Sequence, residues 1–162
     1  MSEKYMLDSN LFDRLIDGKV VIPPNRVVHL LATGVQLDEL RKCPDLARRE
    51  QLLALFDEII PSLTPTSSFA FDIAGAGWGE APWNDGSGNY EKMLARLQKL
   101  DEEKGKKPGG DGLGQHRDIL IAETAIKNQA TLVTDDGPLL KLFAEFGERA
   151  INAKAFKALI EA

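Results

Sequence analysis

"LVTDDGPLL", residues 132–140, is the stretch on which the fold turns. An apolar run ending at Val133 gives way to a threonine, two adjacent aspartates and a Gly-Pro pair that opens a new apolar segment. This reads as a short buried strand, a turn, and a helix carrying Pro138 near its first position, where the missing N–H would be unbonded anyway. Two like charges side by side at the end of a buried strand need a reason. Either they begin the helix, or they hold something positive.

The same alternation extends in both directions. Downstream, "GPLLKLFAEFG" (137–147) reads as a helix, "RAIN" (149–152) as a short strand and "AKAFKALIEA" (153–162) as a closing helix. Upstream, "HRDILIAETAIKNQ" (116–129) carries Ile119, Ala122, Ala125 and Ile126 on one helical stripe. "KYMLDS" (4–9) reads as a buried strand. "SNLFDRLIDG" (9–18) reads as a helix opened by Asp8 or Ser9 and closed by Gly18. "RVVHLLA" (26–32) is a second strand, with His29 taken as a core histidine, and "VQLDELRKC" (35–43) a helix stopped by Pro44. Asp45 caps the long amphipathic "DLARREQLLALFDEII" (45–60), which Pro61 ends. Strands alternating with helices predict a three-layer α/β/α sandwich with a mostly parallel central sheet.

The segment 61–114 differs in composition. It holds ten of the fourteen glycines and both tryptophans, Trp78 and Trp83, so it reads as an irregular insert within one domain of 162 residues rather than a second domain. Within it "SSFAFDIAGAGW" (67–78) reads as a loose helix, "NYEKMLARLQKLDEEKGK" (89–106) as a regular one and "GKKPGGDGLGQ" (105–115) as a mobile loop. Lys104, Lys106 and Lys107 there read as a solvated basic run.

Bulk charge narrows the function classes. A net charge of -5 and a pI near 5.1 give no global attraction to nucleic acid or to an anionic membrane, so any such contact must be local. One cysteine, Cys43, allows no intrachain disulfide, and two histidines are too few for a His/Cys zinc cluster. No apolar run approaches a membrane span, and the first ten residues lack a secretory apolar region, so a reducing cytoplasm is the expected setting.

The acids are placed more suggestively. In parallel sheets ligands bind beyond the carboxyl ends of the strands. Asp8 follows the first strand, Asp135 and Asp136 follow "ATLVT", Glu39 lies a helical turn past the second strand, and Asp118 opens the 116–129 helix. Singly, each has a plain reading: Asp8, Asp118 and Asp136 as helix caps, Glu39 as a solvated helix residue. Together they could meet at one point. Two carboxylates about 4 Å apart repel by roughly 4 kcal/mol at an effective dielectric near 20, so such a group takes up protons or binds a cation. Oxygen ligands without Cys or His select Mg²⁺ or Mn²⁺.

"MLDSN", "LDEL", "RDILIAETA" and "LVTDD", in that order, resemble the four acidic motifs of PIN-domain nucleases over residues 5 to about 156. The resemblance is greatest to the ribonuclease toxins of toxin–antitoxin pairs, the virulence-associated protein C group. It implies a PIN-like fold and a metal-dependent endoribonuclease in which Asp8, Glu39, Asp118 and Asp136 hold Mg²⁺ or Mn²⁺. Thr134, Asn10 and Asp135 would be supporting polar residues, Asp135 on a variable position of the motif. RNA would be the substrate, a cognate antitoxin and a second copy of the chain the partners. His116 and Arg117, beside Asp118, are candidate phosphate contacts, with a surface helix start as the equal alternative. Trp78 and Trp83 are candidates for a partner-facing groove.

Two other classes stay open. A non-catalytic PIN-like binding or scaffolding module would bind metal without turnover. A haloacid dehalogenase-type phosphoryl-transfer domain would use Asp8 as nucleophile, but it needs Asp two residues on, where Asn10 stands. "DGSGNYE" from Asp85 begins like a calcium loop and fails at Tyr90 and Arg96. "GGDGLG" from Gly109 follows no strand and so makes no dinucleotide fingerprint.

Overall fold

The computed structural model describes residues 3–66, 89–107, 110 and 112–162. The loose helix expected over 67–78, Trp78, Trp83 and most of the calcium-like stretch lie outside them. Chain order is β1 (Lys4–Leu7), α1 (Ser9–Ile16), β2 (His29–Leu31), α2 (Gly34–Arg41), α3 (Leu46–Ile59), α4 (Asn89–Lys104), α5 (Gly114–Lys127), β3 (Thr131–Val133), α6 (Gly137–Glu145), β4 (Ala150–Ile151) and α7 (Ala153–Glu161). Among the described residues the strands form one sheet in the order β2-β1-β3-β4, with every pair parallel.

The strands are short and apolar because both faces of the sheet are covered. Side chains alternate across the sheet, and the alternation sorts them into two cores. Met6 and Leu132 point to one face, where α4, α5 and α6 supply Leu97, Ile119, Leu142 and Phe143. Tyr5, Leu7 and Val133 point to the other, where α1, α3 and α7 supply Phe12, Phe56 and Phe156. A wholly buried Leu or Phe stabilises by roughly 1.5–3 kcal/mol, so truncating Leu132 or Phe12 to Ala would cost several kcal/mol once the cavity is included.

Helix ends follow local chemistry. Asp8, Asp45, Asp136 and Asn152 each accept a backbone N–H at the start of a helix. Gly18 and Gly147, at φ +70° and +71°, take the left-handed conformation just beyond α1 and α6.

Two expectations are corrected. β2 is an edge strand, so His29 is exposed and not a core residue. Helix α5 begins at Gly114, two residues earlier than its apolar stripe indicates, which puts Asp118 past the first turn. It neither opens nor caps that helix, because Leu113 holds the cap position.

The strand order locates a crevice. From β1 the chain moves outward to β2, then returns across β1 to form β3 and β4 on the other side. The helices that follow β1 and β3 therefore leave toward opposite faces, α1 into one core and α6 into the other. Their divergence opens a gap beyond the carboxyl ends of β1 and β3, where ligands bind in sheets of this kind.

Candidate active site

Asp8 and Thr134 line this gap as direct continuations of the paired strands. The Asp8 N–H donates to the Val133 carbonyl at 3.0 Å and the Thr134 N–H to the Ile151 carbonyl at 3.0 Å. One Asp8 oxygen accepts the Ser9 N–H at 2.8 Å, and the other accepts the Thr134 hydroxyl at 2.7 Å. Thr134 also accepts the Asp136 N–H at 3.1 Å, so one buried hydroxyl fixes the turn that carries Asp136. Asp136 accepts the Leu139 N–H at 3.2 Å through Oδ1, and its Oδ2 faces Lys106. Asp8 and Asp136 are therefore helix caps whose second carboxylate oxygens meet Thr134 and Lys106.

Glu39 arrives from α2. Thr33 and Gln36 form a reciprocal capping box at the start of that helix. The wholly buried Gln36 amide donates to the Leu7 carbonyl at 3.1 Å, tying the helix to the end of β1. Glu39 lies three residues on, along the same face, and accepts the Ser9 hydroxyl. Asp118 comes from α5, which packs on both α2 and β1.

Asp8, Glu39 and Asp118 each feel the charges around them. Burial raises the Asp8 pKa against the lowering bonds from Thr134 and Ser9, and the Asp136 charge raises it further. Burial likewise raises Glu39, with the Asp8 charge adding to it and the Ser9 bond opposing. Asp118 is held well above the carboxylate range, first by burial and then by repulsion from Asp8, Asp136 and Glu39. Among the described residues, no three Asp, Glu, His or Cys side chains are drawn close enough together to enclose a metal ion. The carboxylates share a field without closing on a centre.

A lysine supplies the positive charge instead. Lys106 Nζ lies 2.8 Å from Asp136 Oδ2 and 4.0 Å from Asp101 Oδ1. This corrects the reading of Lys106 as part of a solvated run. Burial works against its ammonium, but the bond to Asp136 and the charges of Asp136, Asp101 and Asp118 prevail and raise its pKa. Asp101, near the end of α4, is buried and accepts from the Gln115 amide at 2.5 Å. A cavity of about 90 Å³ is lined by Asp101, Lys106, Gln115 and Asp118 among others.

The other singled-out residues lie as follows. Asn10 is exposed, on the outer side of the Ser9–Glu39 contact. Asp135 is not with the cluster: it pairs with Arg14 at 2.6 Å and accepts the Ala153 N–H at 3.0 Å, so it ties α7 to the turn. The supporting role at the site that its position suggests is corrected accordingly. His116 Nδ1 meets the Tyr90 hydroxyl at 2.8 Å, and burial followed by the Glu123 and Glu91 charges pushes that phenol up to about 12. The Arg117 charge acts on Glu39.

Lys106, Asp101, Ser9 and Gln36 were not among the candidates read from sequence. Ser9 and Gln36 carried a usable signal, since one adjoins Asp8 and the other stands three residues after Thr33 in capping-box spacing. Asp101 in an amphipathic helix and Lys106 in a Gly/Lys loop carried none.

Neither any family model nor any curated protein sequence matches the chain. Among solved structures it is similar to VapBC2 from Rickettsia felis bound to a DNA fragment from its promoter, at 20% identity and a TM-score of 0.43 over 92% of this chain and 98% of that one. It is similar to VapBC-1 from nontypeable Haemophilus influenzae at 14% identity and TM-score 0.46, over 92% and 97% of the two chains. A member of the VapBC family of toxin-antitoxin systems, VapBC-5 from Mycobacterium tuberculosis, is similar at 19% identity and TM-score 0.44, over 92% and 96%. At these scores the likenesses carry no weight for function, which the side chains at the strand ends must decide.

Proposed function

We propose that the crevice is the active site of a divalent-metal-dependent phosphodiesterase acting on RNA. One observation carries this reading: Asp8, Glu39, Asp118 and Asp136 reach the ends of β1 and β3 from four separate elements, and the Asp118 carboxylate is destabilised by the other three. Neighbouring carboxylates that repel one another take up protons or bind a cation, and a divalent ion would offset the charge of all four. The set offers hard oxygen donors with no Cys or His, which suits Mg²⁺ or Mn²⁺. Asp8, Glu39, Asp118 and Asp136 would hold the ion by drawing together from their present open spacing.

When bound, a divalent cation acidifies water and offsets negative charge on the phosphoryl group. The chain's own residues do the rest. Thr134 holds the Asp8 carboxylate and the Asp136 turn in register, and Ser9 fixes the rotamer of Glu39. Asp118 approaches from α5 beside the cavity that it lines with Lys106 and Gln115. The preference for RNA, a cognate antitoxin and a homodimer rest on the motif resemblance.

The test is cleavage of a mixed pool of single-stranded and hairpin RNA with Mn²⁺, beside calorimetric titration of the metal. Wild type should bind Mn²⁺ saturably and cleave, and both Asp8→Asn and Asp118→Asn should lose cleavage while folding normally. Activity that survives in both variants overturns the assignment. Saturable Mn²⁺ uptake without cleavage of RNA or DNA would favour a binding module, a reading that the open spacing of the carboxylates and the Lys106–Asp136 pair also suit.

A further inference from the structure

We propose that Lys106 is the protein's own cation in this site, and that the buried carboxylate of Asp101 is the berth to which it moves when a divalent ion takes its place beside Asp136. The inference rests on the metal-site reading above and adds to it two residues that set metal affinity without ligating.

Lys106 lies between two carboxylates in different situations. Asp136 Oδ2 is 2.8 Å from Nζ and its side chain keeps 18% of its exposure. Asp101 Oδ1 is 4.0 Å away, and its side chain keeps 3%. Oδ2 of Asp101 accepts the Gln115 amide, while Oδ1 is buried and among the described residues has no hydrogen-bond partner. Native structures seldom leave a buried carboxylate oxygen unbonded, and a donor within reach of this one is the ammonium that now faces Asp136, 4.0 Å away.

The backbone makes the movement local. Gly105, at φ +76°, ends α4 with its N–H on the Glu102 carbonyl at 3.0 Å, and the Lys106 N–H returns to the Asp101 carbonyl at 2.9 Å. The main chain of Lys106 is thereby clamped to the residue that would receive its side chain. Only the flexible four-carbon stem has to swing, by at least about 1 Å at Nζ to reach hydrogen-bond distance of Asp101 and by more to clear Asp136. The side chain is 46% exposed and borders the cavity it would cross, so nothing packed has to move.

A metal ion and the ammonium compete for the same Asp136 oxygen. Apparent metal affinity falls by the fraction of molecules in which Asp136 is open. A pair closed about nine-tenths of the time weakens binding roughly tenfold. Asp101 raises the open fraction by stabilising the alternative position.

The experiment is calorimetric titration of Mn²⁺ into the full chain as wild type, Lys106→Met, Asp101→Asn and the double variant, each first shown by a thermal melt to fold. Lys106→Met should bind roughly tenfold tighter than wild type, Asp101→Asn several-fold weaker, and the double variant like Lys106→Met, because Asp101 acts only through the lysine. Equal or weaker binding by Lys106→Met overturns the proposal. So does a double variant as weak as Asp101→Asn, which would make Asp101 a ligand. Should Asp101→Asn not fold, Lys106→Met and Lys106→Gln decide alone. Uptake by Lys106→Met where wild type shows none supports the proposal in its strongest form. If no variant takes up Mn²⁺, the metal-site reading itself fails, and this inference with it.

Discussion

Thr134→Val keeps the shape of a wholly buried side chain and removes its hydroxyl. That hydroxyl donates to Asp8 Oδ2 at 2.7 Å and accepts the Asp136 N–H at 3.1 Å. A hydrogen bond to a charged group contributes about 1.5–3 kcal/mol, and a buried N–H left unbonded costs about 1–3 kcal/mol. Asp136 keeps some solvent contact, so water recovers part of the second loss. The net expectation is roughly 2–4 kcal/mol. At about 2–4 °C per kcal/mol for a chain of this size, the melting temperature should fall by roughly 4–16 °C. Urea unfolding of the metal-free protein at pH 7 measures it. Thr134→Ser, which keeps the hydroxyl and loses one methyl, should cost only about 1 kcal/mol. The Thr134 bond also lowers the Asp8 pKa, so its loss raises that pKa and shrinks the Val penalty in acid, where Asp8 is protonated. A Val variant within about 0.5 kcal/mol of wild type, or a Ser variant as damaging as Val, would refute the idea that this hydroxyl organises the strand ends.

Asp8, Glu39 and Asp118 all have folded pKa values raised above their unfolded ones, so the native state binds more protons and these groups lower stability as pH rises. Metal-free stability should fall from about pH 4 upward through their raised values, and less steeply in Asp118→Asn; urea unfolding that shows equal or steeper slopes in the variant refutes this. Asp136→Asn retains a cap for the Leu139 N–H and should melt within about 1 kcal/mol of wild type. Its Mn²⁺-dependent cleavage should fall by more than the roughly 10- to 100-fold that outer partners of a metal site are worth, and near-wild-type turnover would return Asp136 to a pure cap. Asp135→Ala removes the Arg14 pair and the acceptor for Ala153, and should destabilise by about 1–2 kcal/mol with Mn²⁺ affinity unchanged. Calorimetry showing weakened uptake would place Asp135 in the site after all.

The sequence by itself determined the order and kind of elements. Period-2 and period-3.6 apolar spacing, Asp45 and Asp136 before their helices, and Gly18 after its own are local signals, and the described structure follows them. It also determined that Asp8 follows directly on a strand and that Asp136 opens the helix after one, because an apolar run stopped by an acid and a turn has little else to be. The sheet order was decided only in three dimensions. It put β2 at an edge and exposed His29, although its neighbours are as apolar as those of a central strand. The choice between adjacent aspartates was tertiary too: Asp135 turns to Arg14 and Ala153, Asp136 to Lys106, because their partners lie on different helices. Lys106 meets Asp136 across 30 residues, and Gln36 reaches the Leu7 carbonyl across 29. No spacing rule reaches such pairs, because loop closure and packing set them and propensity does not. A Lys in a Gly-rich loop looks solvated until the fold brings a carboxylate to each side of it, Asp136 on one and the buried Asp101 on the other.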